Sequence, residues 1–153
     1  MPRGVKIIDH GFKKAVERIR GVAGSTVAVG VLDGDKYPDG TPVAAVAVFN
    51  EYGTSTAPAR PFMRTTIDAQ MRNIGDVEAA GYGLVIDGVL TSEDLYKTIG
   101  ENLVRRIQET IKSNVPPPNA PSTIERKGSS NTLRDTDTLH DVITYRVTPS
   151  GVR

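Results

Sequence analysis

Cysteine and tryptophan are both missing from this chain of 153 residues. Without cysteine there is no disulfide framework, no thiolate metal site and no thiol nucleophile. That absence suits a protein made in the cytosol. Aromatic residues make up only 5% of the chain, so its core must be built from Val, Ile, Leu and Ala. A dominant charge is missing too. Nineteen Lys and Arg face 18 Asp and Glu, a formal net charge of +1. Such a balance gives no electrostatic case for a dedicated nucleic-acid or membrane-surface binder, although it allows a local basic patch. No apolar run approaches the ~18 residues of a membrane span. The first ten residues lack the apolar stretch of a secretory signal. The expectation is a protein that stays in the cytosol until it joins something.

What is present is ordinary for a globular chain: 38% hydrophobic and 24% charged residues. The length fits one domain, residues 1–153, with a real core. Fifteen Gly and ten Pro imply many turns.

Periodicity assigns most of the elements. Phe12, Ala15, Val16 and Ile19 recur at helical spacing, which predicts a helix over 9–20, capped by Asp9 and closed by Gly21 and Gly24. Val27, Val29 and Val31 alternate with small residues, which predicts a strand over 25–32. Asp33 to Gly40 is an exposed loop of turn formers. Residues 42–52 are read as a helix opened by Pro42 and closed by Gly53, with Ala45, Val46 and Phe49 sharing a face. Pro61 excludes helix at Arg60, so a new helix begins at Phe62 and runs to about Asn73.

Gly75, Gly81, Gly83 and Gly88 break every period over 75–91, where Leu84-Val85-Ile86 reads as a short strand or buried connection. The stripe Leu95, Ile99, Leu103, Ile107, Ile111 predicts a long helix over 92–113, capped by Thr91 or Ser92. Gly100 within it suggests close approach of another backbone. Residues 114–132, rich in Pro and small polar residues, have no period and are read as a flexible loop. A strand is expected between Leu139 and Val147. The sum is a small α+β domain, a short antiparallel or mixed sheet packed against a long amphipathic helix.

Candidate chemistry is sparse. His10 and His140 have no nucleophile or metal partner at a recognisable spacing. The Asp33–Gly40 loop fails the EF-hand pattern, since Tyr37 and Pro38 occupy its fifth and sixth places. Asp135-Thr136-Asp137 offers two carboxylates but reads better as a turn. No catalytic residue, cofactor or metal site is assigned. A metal-dependent hydrolase built on Asp33, Asp35 and Asp135 is one competing reading. A nucleic-acid binder using Arg60, Arg64, Arg126 and Lys127 is the other. Arg60 is instead taken as a structural or intersubunit ion-pairing residue, its planar fork suited to a carboxylate such as Glu51.

The most distinctive wording is Asn50-Glu51-Tyr52-Gly53-Thr54 followed by Pro58-Ala59-Arg60-Pro61-Phe62-Met63-Arg64. With the Val-Ala-Val-Gly-Val strand, the long helix, Thr123-Ile124 to Lys127 read as a turn, Leu133-Arg134-Asp135-Thr136 and the Ile143–Val147 strand, it resembles the tail-completion family of tailed bacteriophages. These are also called head–tail joining or neck proteins. The likeness covers most of the chain in order. One departure is Asp137, which stands where the family usually has Gly; Asp tolerates positive φ better than most residues. The resemblance implies a small α+β subunit of a homo-oligomeric ring in the virion, assembled in the host cytoplasm. It would bridge the head connector and the tail tube or tail terminator, with DNA passing through the ring and no sequence-specific reading. It carries over no catalytic residue. The motif residues it singles out are Asn50, Glu51, Tyr52, Gly53, Thr54, Arg60, Pro61, Phe62, Arg64, Asp135, Thr136 and Asp137.

Overall fold

A computed structural model describes residues 10–134 and 136–150. In chain order the elements are α1 (Phe12–Gly24), β1 (Thr26–Gly30), α2 (Val43–Tyr52), α3 (Phe62–Asp87), α4 (Ser92–Lys112), α5 (Pro121–Lys127), α6 (Thr138–Asp141) and β2 (Thr144–Thr148). They form one α+β domain, and among the described residues no helix is long and apolar enough to cross a membrane.

Helix α4 organises the rest. Thr91 caps it: its Oγ1 accepts from the Asp94 N–H at 3.0 Å, and Asp94 accepts from the Thr91 N–H at 3.3 Å. This reciprocal pair satisfies two end groups. The Thr91 hydroxyl holds the Asp94 carboxyl below its ordinary pKa. The apolar stripe then feeds two core clusters in series. Leu95, Tyr96, Ile99 and Leu103 meet Val85 of α3. Ile107 and Ile111 meet Val43, Phe62, Val115, Leu133, Leu139 and Ile143. A stripe at period 3.6 keeps both clusters on one side of the helix.

The sheet is two-stranded and antiparallel, with Thr26 opposite Thr148 and Gly30 opposite Thr144. It packs on α4. Val27, Val29 and Val147 face the core, as the alternation predicts. At Gly100 the neighbour is the Tyr145 ring, not a backbone; a Cβ there would collide with it.

Several boundaries differ from the sequence reading. α1 begins after Gly11 and runs through Gly21 to Gly24; Asp9 lies outside the described residues. β1 stops at Gly30, so Val31 and Leu32 lie beyond it. Leu139 sits in α6, before the last strand. The largest change is α3, which spans 26 residues and includes Gly75, Gly81, Gly83 and Leu84-Val85-Ile86. Gly81 lies directly against the Leu95 side chain, so the glycine allows α3 to approach α4. Packing overrides propensity there.

Segment 114–132 is not structureless. Thr123 to Lys127 belongs to α5, with Pro121 in its first turn. Val115, Asn119 and Thr132 are buried. Its two arms are tied: Thr132 N–H donates to Asn114 Oδ1 at 3.3 Å, and Asn119 Nδ2 to the Asn131 carbonyl at 2.8 Å. Lys127 Nζ donates to the carbonyls of Asn131 and Arg134 at 3.0 and 2.7 Å.

Candidate functional site

Helix α2 ends where α3 begins, and Glu51 is the joint between them. Its position in register with Val43 and Ala47 turns its side chain inward, and Glu51 is only 6% exposed. Oε2 accepts from the Met63 N–H at 2.9 Å, and Oε1 from the Arg64 N–H at 3.0 Å. These are the second and third residues of α3, whose N–H groups have no partner within the helix. The carboxylate therefore caps α3 from another element and lies at the positive end of its dipole. Arg64 completes the arrangement: its Nε reaches Glu51 Oε1 at 3.0 Å, and its Nη2 donates to the Glu51 carbonyl at 3.0 Å.

The surrounding motif is equally self-contained. Asn50 Nδ2 donates to the Val46 carbonyl, and the Asn50 carbonyl accepts from the Arg60 N–H at 2.6 Å. Gly53 closes α2 with φ +78°, and a Cβ there would come 2.8 Å from the Ala59 nitrogen. Only glycine fits that turn. Thr54 Oγ1 accepts from Thr56 and Ala57 N–H groups, which fixes the loop. Pro61 directs the chain into α3, and Phe62 is fully buried.

Arg60 does not pair with Glu51. It is 8% exposed, and its Nε and Nη2 donate to the carbonyls of Pro117 and Pro118 at 2.8 and 3.2 Å. The carboxylate goes to Arg64 because only Arg64 shares the helix end that Glu51 caps. Arg60 thus clamps the start of segment 114–132 to the joint.

A cleft of about 600 Å³ lies between the joint and the later part of the chain. Asn50 and Arg60 line one side; Arg126, Lys127, Thr136 and Asp137 line the other. The structure therefore brings Asn50 and Arg60 of the first motif to the same cleft as Thr136 and Asp137 of the second. Asp137 has φ +59°, so the positive-φ turn persists without glycine. Its carboxylate meets Arg134 in two parallel bonds of 2.6 and 2.7 Å. That guanidinium holds the Asp137 carboxyl below its ordinary pKa. Thr136 shares a hydroxyl contact of 2.6 Å with Thr138. Asp135 lies outside the described residues.

Of the competing acidic constellation, only Asp33 and Asp35 lie among the described residues. Asp33 pairs with Arg146 at 2.9 Å, and no group of three or more His, Cys, Asp or Glu among them converges as a cation site. Arg64 and Arg134 are each matched by a carboxylate. His140 Nδ1 contacts Asp141 at 2.7 Å.

The sequence reading missed the outer face of α2. Ala45, Val46 and Phe49 were read as sharing a face; the fully buried residue of α2 is Val43, with Ala47 packed beside it. Val48, Phe49 and Tyr52 are 53%, 53% and 67% exposed. Arg64 covers one side of the Tyr52 ring at 5.0 Å from its centroid. The missed signal was Glu51 itself, the one charged residue of α2, which marks the inward face by its capping role. Comparison with protein-family models, curated proteins and solved structures returned no match to this chain.

Proposed function

We propose that this chain is a structural virion subunit that joins head and tail during phage assembly, as one copy of a homo-oligomeric neck ring. Its neighbours would be the head connector on one side and the tail tube or tail terminator on the other. DNA would pass through the ring without sequence-specific contacts. The observation that carries this reading is the division of labour in the motif. Glu51 is occupied by the donors of Met63 and Arg64 and Arg60 by the Pro117 and Pro118 carbonyls, while the adjoining face of α2 presents Val48, Phe49 and Tyr52 outward. An arrangement of that kind supplies contact area from a rigid base, which is how a joint acts. The resemblance of the two motifs to tail-completion proteins supplies the biological setting.

Complementation tests it. A phage lacking this protein is expected to yield filled heads and separate tails, with packaging intact. Adding the purified protein to that lysate restores infectious particles. Infectivity that instead follows a nuclease or metal-dependent activity, lost on substitution of Asp33 or Asp135, sinks the proposal.

Arg60, Arg126 and Lys127 line one cleft, and this favours a second reading as a nucleic-acid-binding assembly factor. Its mark would be DNA affinity that falls steeply with salt and weakens on Arg126→Ala.

A further inference from the structure

We infer that copies of this chain associate head to tail, the groove between α1 and α3 of one copy receiving the outer face of α2 of the next. The inference rests on the ring reading for its context, but its own evidence is geometric and electrostatic.

Two of the apolar surfaces that lie open are far apart on the molecule. One is α2, whose sequence from Val43 to Phe49 contains only Val, Ala and Phe. A helix apolar on all faces belongs in an interior. Here one side is buried and the opposite side, Val48, Phe49 and Tyr52, is not. The other surface is an apolar groove of about 480 Å³ lined by Ile19, Val22 and Ala23 of α1, Tyr82 and Ile86 of α3, and Tyr96 of α4. α1 has no buried residue, and Ile19 is 48% exposed. No lining side chain is charged at neutral pH, and burial pushes the Tyr82 hydroxyl pKa up to about 12.

These surfaces stand at opposite ends of α3. Glu51 and Tyr52 touch its first turn, whereas Arg18 of α1 donates to the carbonyl of Ile86 near its last turn at 2.8 Å. The intervening 22 residues span roughly 33 Å at 1.5 Å per residue. A two-fold dimer through either surface leaves the other open. A heterologous contact covers both and propagates, which is the condition for a ring.

The rims are complementary. α1 carries Lys13, Lys14, Arg18 and Arg20 against Glu17, with Asp87 nearby at the end of α3. The loop that crosses the start of α2 carries Asp33, Asp35 and Asp39 against Lys36; the Asp35 carbonyl accepts from the Val43 N–H at 3.0 Å. Asp33 is held by Arg146 and Asp39 accepts from the Thr41 N–H at 2.9 Å; Asp35 and Asp39 are both exposed. Arg64 beside Tyr52 is matched by Glu51. The α1 segment is thus net basic and the loop before α2 net acidic.

Two surface variants test the pairing. Ile19→Glu blocks the groove and Phe49→Glu blocks α2; thermal melts confirm that each folds. Sedimentation of the wild-type chain should show species larger than monomer that grow with concentration. Each variant alone should remain monomeric. Mixed together they should form a 1:1 dimer and nothing larger, because one good groove meets one good α2 face once. A single variant that still assembles, or a mixture that stays monomeric, overturns the inference.

The absence of cysteine permits a second measurement. A chain carrying both Lys14→Cys and Asp35→Cys should crosslink between copies under mild oxidation, and each single substitution should lose most of that product. A wild-type chain monomeric at the highest soluble concentration, together with no such crosslink, also overturns the pairing. Neither outcome depends on the lysate complementation, so failure of the pairing is distinguishable from failure of the neck assignment.

Discussion

Glu51 shows how one buried carboxylate joins two helices. It accepts two backbone N–H groups of α3 and one guanidinium N–H. Removing it leaves the Met63 and Arg64 donors without this acceptor at a part-buried helix end. Hydrogen bonds to charged groups contribute more than neutral ones, so Glu51→Ala is expected to cost about 2–4 kcal/mol. Glu51→Gln keeps an acceptor for one donor and should cost less. Urea denaturation of the three proteins gives the ranking; equal midpoints would show that α3 does not need this cap. Asp137 provides a pH test. Its folded pKa lies below the ordinary 3.8, first because Arg134 bonds to its ionised form. The stabilisation is therefore present above about pH 4 and is lost as pH falls through the folded value. An NMR titration should place the Asp137 carboxyl below an exposed Asp, and Arg134→Gln should return it towards the ordinary range. The pair is exposed, so the effect on stability is small.

At the scale of elements, α4 was legible because three signals agree: an unbroken apolar stripe, a capping pair and a basic residue in its last turn. α3 was legible only to about Asn73, because its three interior glycines imitate a loop. They differ in role. A Cβ at Gly81 would strike Leu95, whereas Gly75 and Gly83 face open space. Gly75→Ala and Gly83→Ala should each stabilise the protein by roughly 0.5–1 kcal/mol, and Gly81→Ala should destabilise it. Thermal melts decide the signs, and three changes of the same sign would refute the distinction. Segment 114–132 was illegible for the converse reason. Its order comes from distant groups, chiefly Arg60 on the Pro117 and Pro118 carbonyls, which no local pattern records. Arg60→Lys keeps the charge but not the fork. Hydrogen exchange across 119–132 should accelerate in that variant and slow when the wild-type chain is assembled. Rates unchanged in both comparisons would remove the segment from the assembly mechanism. Within the motif the sequence reading matched Glu51 to Arg60, whereas its carboxylate meets Arg64.

For the molecule as a whole, the two core clusters share one helix. Val85 and Tyr96 belong to the first, Phe62 and Ile143 to the second, and α4 runs through both. Neither cluster closes without α4, so the domain should unfold in one step. Tyr37 packs against the second cluster, so the probe is a chain with Tyr37, Tyr52 and Tyr145 replaced by Phe; the fluorescence of its Tyr82 and Tyr96 should give the same urea midpoint as the helical circular-dichroism signal. Separate midpoints would mean that the clusters are independent. The pairing of β1 with β2 has another implication, for the order of events on the ribosome. Thr26–Gly30 emerges early, and its partner Thr144–Thr148 follows about 115 residues later. At roughly 5–20 residues per second, β1 waits on the order of ten seconds with no strand beside it. Once α4 has emerged, only half of the sheet that packs on it is present. The docking residues from Ile19 to Tyr96 are therefore made well before the strand that completes the sheet behind them, and they gain a finished base only when β2 arrives.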